Sequence, residues 1–72
     1  MNSNELRAER IRRGKTVKEI ASLLGITYDA YLKKENGKTM FNPNQIILVS
    51  NYLHLSPEMI NVIFFDRMLP IG

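Results

Sequence analysis

Cysteine is missing from the 72 residues, which excludes a disulfide framework and any thiolate metal cage and fits a reducing compartment. Long apolar runs are missing too. The longest unbroken aliphatic stretch is Ile46-Ile47-Leu48-Val49, far short of the ~20 residues that span a bilayer. The basic N-terminal stretch is not followed by an apolar one, so no secretory signal is expected and the protein reads as cytoplasmic. Catalytic vocabulary is equally thin. His54 is the only histidine, and at the end of an apolar helix it is better explained by favourable charge at a helix C-terminus than by catalysis. No Gly-rich phosphate loop, paired catalytic carboxylates or metal-spaced cluster occurs. The expectation is a protein without catalytic residues, metal, cofactor, small-molecule substrate or membrane contact.

What remains is one small domain, with no length for a second core. Its charge is unevenly spread. Residues 1–38 hold nine Lys/Arg against five Asp/Glu, a balance of +4, whereas residues 39–72 hold Arg67 against Glu58 and Asp66, a balance of −1. A basic N-terminal half invites a polyanion such as nucleic acid, although a solvated basic surface carries the same signature.

Helix punctuation is frequent and no alternating β-branched stretch occurs, so the fold class is all-α. Ser3 or Asn4 can cap a first helix running to about Arg13 and stopped by Gly14. Thr16 and Glu19 form a capping box, in which each side chain satisfies the other residue's free backbone N–H. It opens a helix of about 17–24, whose Val17, Ile20, Ala21 and Leu24 make one buried stripe. Gly25 ends that helix and Thr27 caps the next, about 28–35, closed by Asn36-Gly37. Two short helices joined by so tight a turn must cross steeply. Asn42-Pro43 and Ser56-Pro57 begin two more helices, ending near His54 and Arg67. The domain is placed at 1–68, with a loose tail at 69–72. The Met59–Phe65 stretch is apolar on more than one face; part of it must close the core against the first helix, and any surplus is a contact for a dimer or partner.

Leu6-Arg7-x-x-Arg10, then Thr16-x-x-x-Ile20-Ala21-x-x-Leu24-Gly25-Ile26-Thr27, then Glu35-Asn36-Gly37-Lys38 together resemble the helix-turn-helix domains of the phage repressor and Cro type. The resemblance covers most of residues 4–65 and implies a compact five-helix domain that regulates transcription. Alanine at 21 keeps two crossing helices close, and glycine at 25 makes the turn. The resemblance further implies that the third helix is the recognition helix, presenting Thr27, Tyr28, Asp29, Leu32 and Lys33. It implies phosphate contacts at the start of the second helix and at Asn36-Gly37-Lys38, through backbone N–H groups and Lys38. Arg10 and Glu35 match a partly buried ion pair between the first and third helices of some members, a structural role.

Departures from that pattern redirect the functional reading. Val17 stands where operator-binding relatives often carry glutamine, and Lys34 where an apolar side chain is usual, so its stem is expected to pack while its amine snorkels. The outer face of the third helix lacks Gln, Arg, Asn and Ser, the readers of base edges. Tyr28 and Leu32 instead offer apolar anchors, and Asp29 offers a carboxylate to a partner's Arg or Lys. Both apolar residues can alternatively pack as core, Tyr28 more readily than Leu32. This combination is similar to the modulator-of-repression antirepressors of temperate phages from Gram-positive hosts, which implies a partner repressor protein bound at its DNA-binding domain. Direct operator binding in the Cro manner, as a dimer or in a hetero-complex with the repressor, is the other expectation, and an antitoxin or mobile-element regulator a more distant one. Whether the chain forms a homodimer is left open.

Overall fold

The structure, a computed structural model, describes residues 1–70. Five helices carry the chain: α1 (Ser3–Arg12), α2 (Val17–Leu24), α3 (Tyr28–Glu35), α4 (Pro43–Tyr52) and α5 (Pro57–Phe64). No strand occurs among the described residues. Every helix starts on a polar side chain that accepts from a first-turn N–H: Asn2, Thr16, Thr27, Asn42 and Ser56. The Thr16–Glu19 capping box forms in both directions, at 3.1 and 3.0 Å, and Asn42 makes a second box with Gln45.

Several boundaries differ from those expected. Asn2, not Ser3 or Asn4, caps α1, because its own N–H donates to the Ile63 carbonyl at 2.7 Å and pins the helix start against α5. Helix α1 stops at Arg12, and α4 stops at Tyr52, with His54 just beyond it in the left-handed region at φ 53°. Helix α5 ends at Phe64 instead of about Arg67. Asp66 and Arg67 both turn left-handed, at φ 49° and 63°, and the Arg67 N–H folds back to the Asn61 carbonyl at 3.0 Å. The expected loose tail is held as far as Leu69, whose N–H and C=O pair with the buried Asn61 amide at 3.0 and 2.8 Å. Residues 71 and 72 lie outside the described residues.

The core gathers Leu6, Val17, Ile20, Ala21, Tyr31, Phe41, Val49, Leu53 and Ile63. Ile63 closes it from α5 against α1, as expected of the apolar C-terminal stretch. Phe41 belongs to no helix. It is buried because its ring stands edge-on between Tyr31 and Phe64, with centroids at 6.1 and 5.4 Å. Its neighbour Lys34 behaves as its position suggested: the stem packs and the amine donates to the Met40 carbonyl at 2.7 Å.

Candidate nucleic-acid or protein interface

Helices α2 and α3 are joined with no slack. Gly25 sits at φ 68°, its N–H reaching Ser22 at 3.1 Å, while the Ile26 N–H reaches Ala21 at 3.0 Å. The left-handed conformation is open to glycine at little cost, and it turns the chain in a single residue. Thr27 then caps α3 by accepting from the Ala30 N–H at 3.1 Å. Ala21 is buried where the helices cross, and Leu24 and Ile26 pack partly against the core. This geometry holds α3 at the surface.

Along α3 the expected residues separate. Thr27, Tyr28, Asp29 and Lys33 are exposed, although the Thr27 hydroxyl already serves the cap. Tyr28 is 53% exposed, whereas Leu32 packs against the core. The order expected for these two is therefore reversed: four residues apart, they share one stripe of α3, and along that stripe Leu32 packs against the core while Tyr28, on the first turn, stands in solvent. Asp29 also lies in the first turn of α3, where the helix dipole favours a negative charge.

At the other end of α3, the backbone part of the expected phosphate site is used up. The N–H groups of Asn36, Gly37 and Lys38 donate to the carbonyls of Leu32, Lys34 and Lys33 at 2.9, 3.1 and 2.8 Å. These bonds close the helix, so only the exposed side chains of Asn36 and Lys38 remain for a ligand. At the start of α2 the capping box occupies the Thr16 and Glu19 N–H groups. Hydrogen bonds from Thr16 to its carboxylate, the one from the Thr16 backbone N–H first, hold the Glu19 carboxyl below its ordinary value.

Behind α3, Arg10 grips Glu35 through Nε–Oε1 at 2.7 Å and Nη2–Oε2 at 3.3 Å. Arg10 Nη1 also donates to the Lys15 carbonyl at 3.1 Å, and the Tyr31 hydroxyl donates to Glu35 Oε1 at 3.1 Å. The hydrogen bond to Glu35 raises the Arg10 guanidinium above its ordinary value, by more than burial lowers it. The pair is thus a staple between α1 and α3. Two further features escaped the sequence reading. Glu9 is buried and holds Arg12 and Arg13, a pattern legible in hindsight from their i+3 and i+4 spacing. Lys15 lies over the Tyr52 ring at 4.7 Å while the Tyr52 hydroxyl donates to Glu19 at 3.2 Å, a long-range arrangement with no local signal. Cations without such ties stand exposed on either side of the α2–α3 unit: Lys18, Lys33 and Lys38.

Among the described residues no group of His, Asp and Glu is placed to hold a metal ion, and no helix is long and apolar enough to cross a membrane. Two helices crossing at a one-glycine turn, with the second laid open on a basic body, define a helix-turn-helix protein. The chain belongs to the helix-turn-helix family, whose sequence model matches residues 6–60, and that family is one of DNA-binding regulators of transcription. No curated protein and no solved structure matches the chain.

Proposed function

We propose that this protein regulates a phage-type lysogenic/lytic switch as an antirepressor, a modulator of repression. The outer face of α3 binds the DNA-binding domain of a partner repressor and blocks that repressor's access to its operator. The observation that carries this reading is the pairing of exposed Tyr28 and Asp29 on the first turn of α3, a helix with no Gln, Asn, Arg or Ser. A carboxylate beside an aromatic anchor suits the Arg and Lys side chains that a repressor points at DNA. The partner's groove-reading residues cannot hold phosphate and this protein together, so the mechanism is competition.

A second reading, direct operator binding of the Cro type, is favoured by the exposed Lys18, Lys33 and Lys38 around the same unit. One titration separates the two. The regulatory DNA beside the gene is run in a low-salt gel shift with the neighbouring repressor, with and without this protein. Removal of the repressor's shifted band while naked DNA stays unbound supports the antirepressor. A shift of the DNA by this protein alone, at sub-micromolar concentration, supports the operator-binding reading and overturns the first.

A further inference from the structure

Glu35 is spent on Arg10, and the Lys34 amine on the Met40 carbonyl, so two charged side chains of α3 remain unengaged: Asp29 and Lys33. Both are exposed, and among the described residues neither takes an ion-pair partner. They stand four positions apart, acid before base, which is about 6 Å along the helix axis. That spacing ordinarily lets two such side chains close on each other, and here they do not. Helix α3 therefore shows solvent a negative charge in its first turn and a positive one in its last. No uniformly charged surface matches this order. A row of phosphates repels Asp29, and a surface of cations alone repels Lys33, with Lys18 and Lys38 exposed on either side of the α2–α3 unit.

We infer that α3 docks antiparallel on a helix of its protein partner, one that carries an acid and, a turn later, a base. The inference rests on the antirepressor reading and adds to it the partner's second charge and its orientation. In the antiparallel arrangement the partner's base meets Asp29 and its acid meets Lys33. The opposed helix dipoles favour the same arrangement, whereas parallel docking sets acid against acid and base against base. A cation opposite Asp29 is one of the side chains that a repressor points at DNA. The acid opposite Lys33 is the further requirement, and it makes the contact selective: a wholly basic recognition helix is turned away by Lys33. A second copy of α3 has the same order of charges. Two copies, however, bring together Lys18, Lys33 and Lys38 of each, and Asp29 is the one unengaged acid of α2 and α3, because Glu19 and Glu35 are held within the chain. A partner with acids of its own fits better.

Isothermal titration of the full chain against the neighbouring repressor tests the inference. Lys33→Glu, at an exposed position, should leave the helical circular dichroism unchanged and weaken the complex by ~tenfold or more. Reversing the exposed acids of the repressor's recognition helix to lysine, one at a time, should restore the affinity of Lys33→Glu in one case. The swapped chain, Asp29→Lys with Lys33→Glu, should bind the unaltered repressor no better than Lys33→Glu alone. A parent chain that binds the repressor while Lys33→Glu binds equally well or more tightly overturns the inference and leaves the antirepressor reading standing. A Lys33→Glu defect that no acid reversal repairs also overturns it, and a swapped chain that regains affinity overturns the antiparallel orientation. A parent chain that does not bind the repressor overturns both. Sedimentation equilibrium of the chain alone covers the remaining occupant: a dimer dispersed by Lys33→Glu would assign the pattern to a second copy and overturn the inference.

Discussion

Arg10 and Glu35 stand 25 positions apart in the chain and meet through two hydrogen bonds, with side chains only 13% and 2% exposed. Their chemistry is ionic, but their work is mechanical: α1 is tied to the last turn of α3, and the Lys15 carbonyl and Tyr31 hydroxyl are drawn into the same knot. Arg10→Ala would leave the Glu35 charge buried with only the Tyr31 hydroxyl beside it. The expected loss is ~3 kcal/mol, and the melting temperature should fall by about 4–8 °C for each of those. Replacing both partners by apolar residues, Arg10→Met with Glu35→Leu, should be less damaging than Arg10→Ala alone. Thermal melts followed by circular dichroism decide this; a single variant that melts like the parent would remove the staple from the account.

The same knot predicts an alkaline sensitivity. Burial above all, with the Glu35 charge adding to it, raises the Tyr31 phenol above its ordinary 10.0. A raised value in the folded state means that the stability contribution is fully present below pH 10 and drains away as pH rises past it, where the unfolded phenol ionises and the folded one does not. Melting temperatures measured from pH 8 upward should therefore hold steady and then decline above about pH 10. Tyr31→Phe should show a shallower decline over that range. Equal slopes would mean that Tyr31 is not the group responsible.

On the proposed antirepressor reading, Asp29 is the residue on which recognition by α3 most depends. Asp29→Arg places a cation against the repressor's own Arg and Lys side chains, and the partner complex should weaken by ~100-fold or more. The fold should survive, since Asp29 is exposed and the change costs at most ~1 kcal/mol through the dipole of α3. Isothermal titration against the repressor's DNA-binding domain reads the effect; unchanged affinity would take Asp29 out of the interface.

Lys33 bears on the operator-binding reading. If it contacts phosphate, Lys33→Ala should lower DNA affinity and reduce the slope of log K against log salt by about one. An unchanged slope would place Lys33 away from the DNA backbone.

The sequence exposed the helices and the turn between α2 and α3 because those features are local. Caps, glycines and the Val17-Ile20-Ala21-Leu24 stripe act within one or two helical turns; apart from the α1 cap, which is Asn2, they stand where expected, with Leu24 only partly buried. Helix ends were less legible. The start of α1 depends on a hydrogen bond from Asn2 to Ile63, and the end of α5 on a fold-back to Asn61, both set by tertiary packing. Within α3 the positions were legible but their depth was not. Tyr28 and Leu32 have similar local signals, and only the placement of α3 on the core decides that the tyrosine is outside and the leucine partly inside. The consumption of the Asn36, Gly37 and Lys38 N–H groups was invisible for a related reason, because helix closure and phosphate binding draw on the same donors. Phe41 carries no periodic pattern, so nothing in its spacing announced it.

The one-glycine joint between α2 and α3 also constrains how this surface can be altered. A hinge with a few spare residues would let α3 tilt to fit a new target, but Gly25 and Ile26 are both fastened to the last turn of α2, and Arg10 holds the far end of α3. The proposed recognition surface is therefore a fixed plate. It can be given a new target by exchanging the side chains at 28, 29 and 33, with the scaffold left as it is, while changing the length of the turn would disturb the core before it changed the partner.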